Sequence, residues 1–214
     1  MYINYTLPKA HIMVNNNNFW HKRLCHPGIA VLKNLGLPTS NIICNFCELN
    51  QVCNQPFNET FKDALLPLDC LHIKLVGPIH PSYFSRSQYF LSITDHATSY
   101  KIAKFLGRKL DAFEEFLMAK TFLQNQKDLK IKKLISDQGG EFLIKRFEHI
   151  SREHAFDHIF SPPETPQHNG FAKRSNRTIL DKSRCLLCSC NLYAEYWAEA
   201  VNTAVLLSNM NPMQ

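Results

Sequence analysis

The stretch that decides the fold covers residues 71–106, LHIKLVGPIHPSYFSRSQYFLSITDHATSYKIAKFL. It contains three runs rich in β-branched and aromatic residues, separated by polar turns and by the breaker Gly77-Pro78. This spacing predicts strands over 71–76, 88–94 and 100–106. Three consecutive strands joined by short connections indicate an antiparallel meander.

Downstream of this meander, helical and strand patterns alternate. The elements predicted there are, in order, a helix opened by Asp111, a strand at 131–136, a helix at 142–154, a strand at 158–161 and helices at 170–190 and 194–210. The apolar residues expected mostly on one face of the first helix are Phe113, Phe116, Leu117, Met118, Phe122 and Leu123. This order predicts an α/β domain with a mixed five-stranded sheet and helices on both faces.

Composition limits the class of protein. Of the 214 residues, 45% are hydrophobic, which is enough for a core and excludes a disordered protein. A formal charge of +6 favours an acidic partner, nucleic acid first. No apolar run approaches about 20 residues and the N-terminus lacks a signal peptide, so we expect an intracellular protein of the cytoplasm or nucleus, not secreted and without membrane contact.

The histidines and cysteines point to a small metal-binding segment. Residues 1–18 predict a loose leader, 19–57 a zinc-binding segment, 58–67 a linker and 68–214 the α/β domain. His21, His26, Cys44 and Cys47 match the donor set of a closed structural zinc site, provided that a turn near Pro27 brings the two histidines together.

Other interpretations of these residues stay open. The histidines can instead be surface side chains and the cysteines buried fillers, and Cys53 can substitute for one thiolate. A second cluster, Cys185, Cys188 and Cys190, has no nearby histidine in the sequence and is interpreted as core packing.

Several runs carry a resemblance to one family. Two runs resemble the pre-integrase zinc segment of copia-type long-terminal-repeat retrotransposons: FWHKRLCHP at 19–27 and CNFC at 44–47. Three further runs resemble the integrase core of that family: HIKLVGPI at 72–79, SDQGGEF at 136–142 and TPQHNGFAKRSNRT at 165–178. The run YWAEAVNTA at 196–204 resembles the helix that follows the core. The resemblance implies a ribonuclease H-like fold and DNA integration by polynucleotidyl transfer. In that chemistry two Asp and one Glu hold two Mg²⁺ ions.

The sequence departs from the family at two of these three acids. Asp137 keeps its place, but Lys74 stands at the first position and Lys173, after 35 intervening residues, at the third. A protonated lysine offers no lone pair, and it repels a divalent ion at about 4 Å by roughly 8 kcal/mol at an effective dielectric near 20. We therefore expect no two-metal site, although the family would use Mg²⁺.

Two further possibilities concern the acids. Asp69, Glu141 and Glu164 are the candidate substitutes, but none has the spacing of a missing ligand. One aspartate and two lysines carry the same net charge as three carboxylates with two Mg²⁺, so the site can close as a salt-bridged triad.

Basic residues on the predicted helix at 170–190 suggest that the chain can bind nucleic acid without catalysis. The predicted nucleic-acid contacts are Lys173, Arg174, Arg177, Lys182 and Arg184, with a solvated helix face as the alternative. We expect a catalytically inactive integrase-like protein that binds DNA weakly through phosphates. The alternative is a non-catalytic interaction module that pairs with itself or with a related integrase.

Overall fold

The computed structural model describes residues 18–39, 44, 46–47, 66–143, 145–161 and 166–210. The predicted leader up to residue 17, the linker up to residue 65, Cys53 and Glu164 lie outside the described residues. The elements are α1 (Asn18–Arg23), α2 (Ile29–Asn34), β1 (Cys70–Val76), β2 (Tyr89–Asp95), β3 (Lys101–Leu106), α3 (Ala112–Lys127), β4 (Lys133–Ser136), α4 (Lys145–Glu153), β5 (Asp157–Phe160), α5 (Pro166–Ser189) and α6 (Trp197–Met210).

The sheet is mixed and five-stranded, in the order β3-β2-β1-β4-β5. The first three strands along the chain pair antiparallel, and β4 and β5 add in parallel on the other side of β1. The predicted meander and the mixed sheet are confirmed. Strand β1 lies in the middle of the sheet, and helices cover both of its faces.

Side chains of β1 alternate between two helical layers. Leu71 and Ile73 are buried in one cluster with Phe116 of α3 and Phe147 of α4. The even-numbered residues of β1 face the opposite layer, where α5 and α6 pack together around Ile179 and other apolar residues. The position of Lys74 on β1 is thus directed towards α5.

Helices α3 and α4 differ from their predicted form, and α5 begins at Pro166 rather than at residue 170. In α3, Phe113 and Phe116 are buried, but Met118 is 52% and Phe122 47% exposed, so the apolar face is narrower than predicted. The fourth helix begins at Lys145 rather than at residue 142. The reason is a turn in which the Phe142 amide donates to the Gly139 carbonyl at 2.9 Å.

Candidate functional site

A cluster of four potential metal ligands lies in the N-terminal segment. The donor atoms of His21, His26, Cys44 and Cys47 all lie within 4.8 Å of one another. His21 Nε2 is 3.2 Å from the Cys47 sulfur and 3.0 Å from His26 Nδ1, which is 3.4 Å from each sulfur. Tetrahedral zinc bonds of about 2.0 Å to nitrogen and 2.3 Å to sulfur separate the ligand atoms by roughly 3.3–3.8 Å. This arrangement can hold a metal ion.

The end of helix α1 brings the two histidines together. The Cys25 amide donates to the Lys22 carbonyl at 3.2 Å and the His26 amide to the His21 carbonyl at 2.7 Å, the paired bonds of a Schellman motif. Cys25 takes the left-handed position of that motif with φ 63°. The chain reverses there, and the rings of His21 and His26 meet with their centroids 4.7 Å apart.

Hydrogen bonding and burial prepare the two imidazoles for a metal. The Nδ1 of His21 donates to the Pro27 carbonyl at 3.1 Å, which leaves its Nε2 lone pair facing the cluster. Burial lowers the pKa of His21, and it lowers the pKa of His26 to about 4. Burial raises the pKa of the Cys47 thiol, so a cation must supply the stabilisation of its thiolate.

The segment that holds this cluster is docked on α5. Cys25 is fully buried and its thiol donates to the Lys182 carbonyl at 3.5 Å. The thiol of Cys185 donates to the Phe46 carbonyl at 3.7 Å, and burial together with nearby Cys44 raises its pKa to about 11. The core-packing interpretation of the second cysteine cluster is wrong for Cys188 and Cys190, which are exposed.

A cleft between β1 and α5 brings together two of the three positions of the integrase-like motifs. Lys74 and Lys173 line the same cleft, which has a volume of about 440 Å³. Strand β4 runs parallel to β1, and its last residue paired with β1 is Ile135, opposite His72. Asp137 follows directly after the end of β4 at Ser136 and is not among the residues that line the cleft.

Contacts to the sheet fix the first turns of α5. The ring of Phe171 lies 4.9 Å from that of His72 and 4.6 Å from that of His96, and His72 Nε2 is 2.9 Å from His96 Nδ1. Burial, and then the neighbouring His96, lower the pKa of His72 to about 3, so the ring is neutral. The hydroxyls of Thr94 and Ser175 are 3.2 Å apart. These contacts position Lys173 above β1.

The predicted salt-bridged triad does not form in the structure. All three residues are described, yet no ion pair within 4.0 Å joins Asp137 to Lys74 or Lys173. A carboxylate oxygen of Asp137 accepts instead from the Gly139 amide at 3.3 Å.

The acid that does line the cleft is Asp181, and it is engaged by two arginines. Its carboxylate is 2.8 Å from Arg184 and 3.9 Å from Arg177. Of the proposed substitutes, Asp69 pairs with Lys132 at 2.6 Å, while the carboxylate of Glu141 lies over the backbone of Gly139. Neither Asp69 nor Glu141 lines the cleft.

An unpaired amide lies in the same cleft. Asn176 is only 5% exposed, and neither atom of its side-chain amide has a hydrogen-bond partner among the described residues. A buried amide left without partners costs about 1–3 kcal/mol. The cleft thus holds both donors and an acceptor for a polar ligand.

Helix geometry divides the basic residues of α5. Lys173, Arg174, Arg177 and Arg184 are exposed. Lys182 follows Lys173 by nine residues, which at 100° per residue is about 180° around the helix. It is partly buried, its ammonium donates to the Ser208 hydroxyl at 2.9 Å, and burial lowers its pKa.

Comparison with known proteins identifies relatives of this chain. No family model matches the sequence. The retrovirus-related Pol polyprotein of transposon TNT 1-94 from Nicotiana tabacum is 31% identical over 203 residues, 91% of this chain. Those of transposons RE2 and RE1 from Arabidopsis thaliana are each 32% identical over 90% of the chain. The chain is a relative of the Pol polyproteins of copia-type retrotransposons. It spans only 15% of the tobacco protein and 14% of each Arabidopsis protein.

Solved structures agree on the fold of this copia-type chain. The magnesium complex of the HTLV-2 integrase catalytic core domain, trimeric form, has a TM-score of 0.50 at 18% identity and covers 66% of this chain and 85% of its own. A simian T-cell lymphotropic virus intasome with the PP2A regulatory subunit B56 gamma has a TM-score of 0.55 at 19% identity and covers 88% of this chain and 66% of its own. The predicted integrase-core fold is confirmed. Among the described residues, no helix is both long and apolar enough to span a membrane.

Sequence reasoning missed three residues of these sites. Asp181 follows Arg177 by four residues and precedes Arg184 by three, a helical spacing that indicates ion pairs. Nothing in the sequence indicates that the side-chain amide of Asn176 lacks hydrogen-bond partners among the described residues. The contact of Cys185 with the metal segment depends on how that segment docks, which short-range patterns do not encode.

Proposed function

We propose that this copia-type chain is an integrase-derived nucleic-acid-binding core that does not catalyse metal-dependent polynucleotidyl transfer. The observation that carries the proposal is the pair of lysines, Lys74 and Lys173, lining one cleft at the positions where the family motif has acids. Of the three motif positions, Asp137 alone retains a carboxylate. One carboxylate beside two ammonium groups does not assemble two divalent cations, because each lysine adds repulsion in place of a ligand.

The one acid that lines the cleft among the described residues, Asp181, is poorly suited to replace the missing metal ligands. Asp181 is only 8% exposed and is held by Arg184 and Arg177. Coordinating a metal would require it to release both guanidinium groups, which would then repel the ion from close by. The proposed inactivity therefore rests on the charges of the cleft as well as on the lost ligands.

The N-terminal cluster is proposed to hold a structural zinc ion. Two imidazoles and two thiolates from this chain fill a tetrahedral shell, so no position is left for a substrate or water. The ion would fasten the proposed segment 19–57 to the proposed core 68–214 through Cys25 and Cys185, both fully buried against their neighbours.

The proposed nucleic-acid surface is the exposed basic side of α5. Lys173, Arg174, Arg177 and Arg184 can contact phosphates there, whereas Lys182 is left out because it faces Ser208 on the other side of the helix. Phosphate contacts require charge and position but no catalytic geometry. Binding without sequence preference is expected.

Salt dependence of DNA binding tests this surface. Each phosphate contact contributes a slope of about −0.9 in a plot of log K against log salt for duplex DNA. Lys173→Gln is expected to reduce the slope by about 1 and to weaken binding about eightfold at 0.1 M salt. Fluorescence anisotropy with a labelled duplex between about 50 and 200 mM salt measures both quantities.

Lys182→Gln is the matched control for this experiment. It removes one lysine from the same helix and should leave the slope unchanged, because its ammonium is bonded to Ser208. A wild-type slope near zero, or equal losses in the two variants, contradicts the proposed surface.

A protein-interaction module is the second candidate function. Exposed aromatic residues near the start of α6 favour it, since Phe84 is 67% and Tyr193 77% exposed and Phe84 contacts Tyr196 with ring centroids 5.3 Å apart. Contiguous exposed apolar groups often mark contact surfaces. A defined dimer with negligible affinity for DNA in the same buffers would favour this candidate.

A further inference from the structure

The cleft between β1 and α5 has an unusual balance of charge. Four basic side chains, Lys74, Lys173, Arg177 and Arg184, line it together with one carboxylate, Asp181. That carboxylate is only 2.8 Å from Arg184 and also contacts Arg177. Within the described part of the chain, Lys74 and Lys173 have no acidic partner within 4.0 Å. The uncompensated positive charge is thus concentrated on the two lysines.

The unpaired amide of Asn176 independently indicates a polar ligand. Asn176 lies three residues after Lys173 on the same side of α5, lines the cleft and is 5% exposed. Its Nδ2 can donate to an anionic oxygen, while its Oδ1 can accept from a lysine ammonium that also contacts the anion. Such an arrangement satisfies both amide atoms at once.

The chemistry of these groups selects an oxyanion over a cation. Ammonium, guanidinium and amide N–H groups all donate, and a phosphate group offers several strong acceptor oxygens. A divalent cation would meet four positive side chains and a carboxylate that already has two partners.

We propose that this cleft is a metal-independent phosphate site, in which Lys74, Lys173 and Asn176 hold a phosphate group of a nucleic-acid strand. The inference rests on the proposed nucleic-acid-binding function and gives it a specific anchoring point. In place of metal ions bridging protein carboxylates to phosphate, the ammonium groups of Lys74 and Lys173 contact the phosphate directly. The phosphate is bound there and no bond is broken.

The test uses inorganic phosphate as the probe and the zinc-loaded full chain in a buffer without Mg²⁺ or Mn²⁺. The side-chain amide signal of Asn176, followed by NMR, is expected to shift in a saturable way with a Kd on the order of 1 mM. Chloride at equal ionic strength should not cause the shift. Lys74→Gln, followed by the same signal, and the isosteric Asn176→Asp, followed by the backbone amide signals of α5 in the same titration, are each expected to weaken phosphate binding by about tenfold or more, as loss of a charge-assisted hydrogen bond does.

Controls separate this inference from the proposed function. Lys182→Gln should bind phosphate as the wild type does, and a short DNA duplex should displace phosphate from the cleft. No saturable shift, equal loss in Lys182→Gln, dependence on added Mg²⁺, or phosphate that DNA fails to displace would each overturn the phosphate site. If the shift is absent while Lys173→Gln still lowers the salt slope, the cleft inference fails and the nucleic-acid surface stands.

A reversal variant keeps the test decisive if a single substitution perturbs folding. Lys74→Asp combined with Lys173→Glu replaces both ammonium groups by carboxylates in the same cleft. Phosphate binding without added Mg²⁺ should then be lost, and any recovery should require Mg²⁺. Unchanged metal-free phosphate binding in this variant contradicts the proposal.

Discussion

Replacing Cys44 with serine is expected to abolish zinc binding and to free the N-terminal segment from α5. The buried residues of this segment among the described ones are few, chiefly Cys25, His26, Leu32 and Cys44. A structural zinc site supplies about 10–16 kcal/mol in small peptides at neutral pH, far more than such a core provides. We expect one zinc per chain in the wild type and less than a tenth of that in Cys44→Ser at equal free zinc.

The readouts are elemental analysis for zinc and hydrogen exchange for docking. Amides of residues 18–39 should lose protection in Cys44→Ser while those of the sheet keep it. Cys188→Ser is the matched control, because Cys188 is an exposed thiol outside the cluster. Full zinc content and unchanged protection in Cys44→Ser would show that the four residues do not form the metal site.

The second large effect is expected at Gly77, where β1 ends. Its φ is +135°, and an added β-carbon would lie 2.5 Å from the Gln88 carbonyl oxygen and 2.7 Å from the Tyr89 ring. Gly77→Ala combines a backbone conformation reserved for glycine with a clash against β2, so unfolding free energy should fall by about 3 kcal/mol or more. Urea denaturation followed by circular dichroism measures this loss.

Gly140→Ala provides the comparison for this effect. A β-carbon at Gly140 would meet nothing within 4 Å and its backbone is not left-handed. The unfolding free energy should therefore change by no more than about 0.5 kcal/mol. Similar midpoints for the two variants would mean that the end of β1 adapts freely and does not fix the cleft.

Strands were easier to predict from this sequence than the faces of helices. The runs that became β1, β2 and β3 are bounded by turn residues and by Gly77-Pro78, which are local signals. The exposure of Met118 and Phe122 depends on which side of α3 meets the sheet, and an apolar side chain alone does not show this. The apolar pattern places Phe142 in a helix, because the hydrogen bond of its amide to the Gly139 carbonyl leaves no mark in such a pattern.

The candidate sites likewise contain some features that the sequence predicts and others that it does not. The spacing of His21, His26, Cys44 and Cys47 indicated a cluster that the structure does bring together. The orientation of Lys182 could have been predicted, since nine helical residues separate it from Lys173 by about half a turn. The unpaired amide of Asn176 and the docking of Cys185 arise from long-range packing, for which one sequence carries no direct signal.

The measurement that tests the central claim most directly is cleavage and joining of labelled DNA ends in Mg²⁺ and in Mn²⁺. The wild-type chain and Asp137→Asn are assayed side by side at equal concentration. We expect neither protein to form a metal-dependent product, because Lys74 and Lys173 occupy two of the three acid positions. Product formed by the wild type and lost in Asp137→Asn would contradict this account, since it would require another acid to complete the metal site.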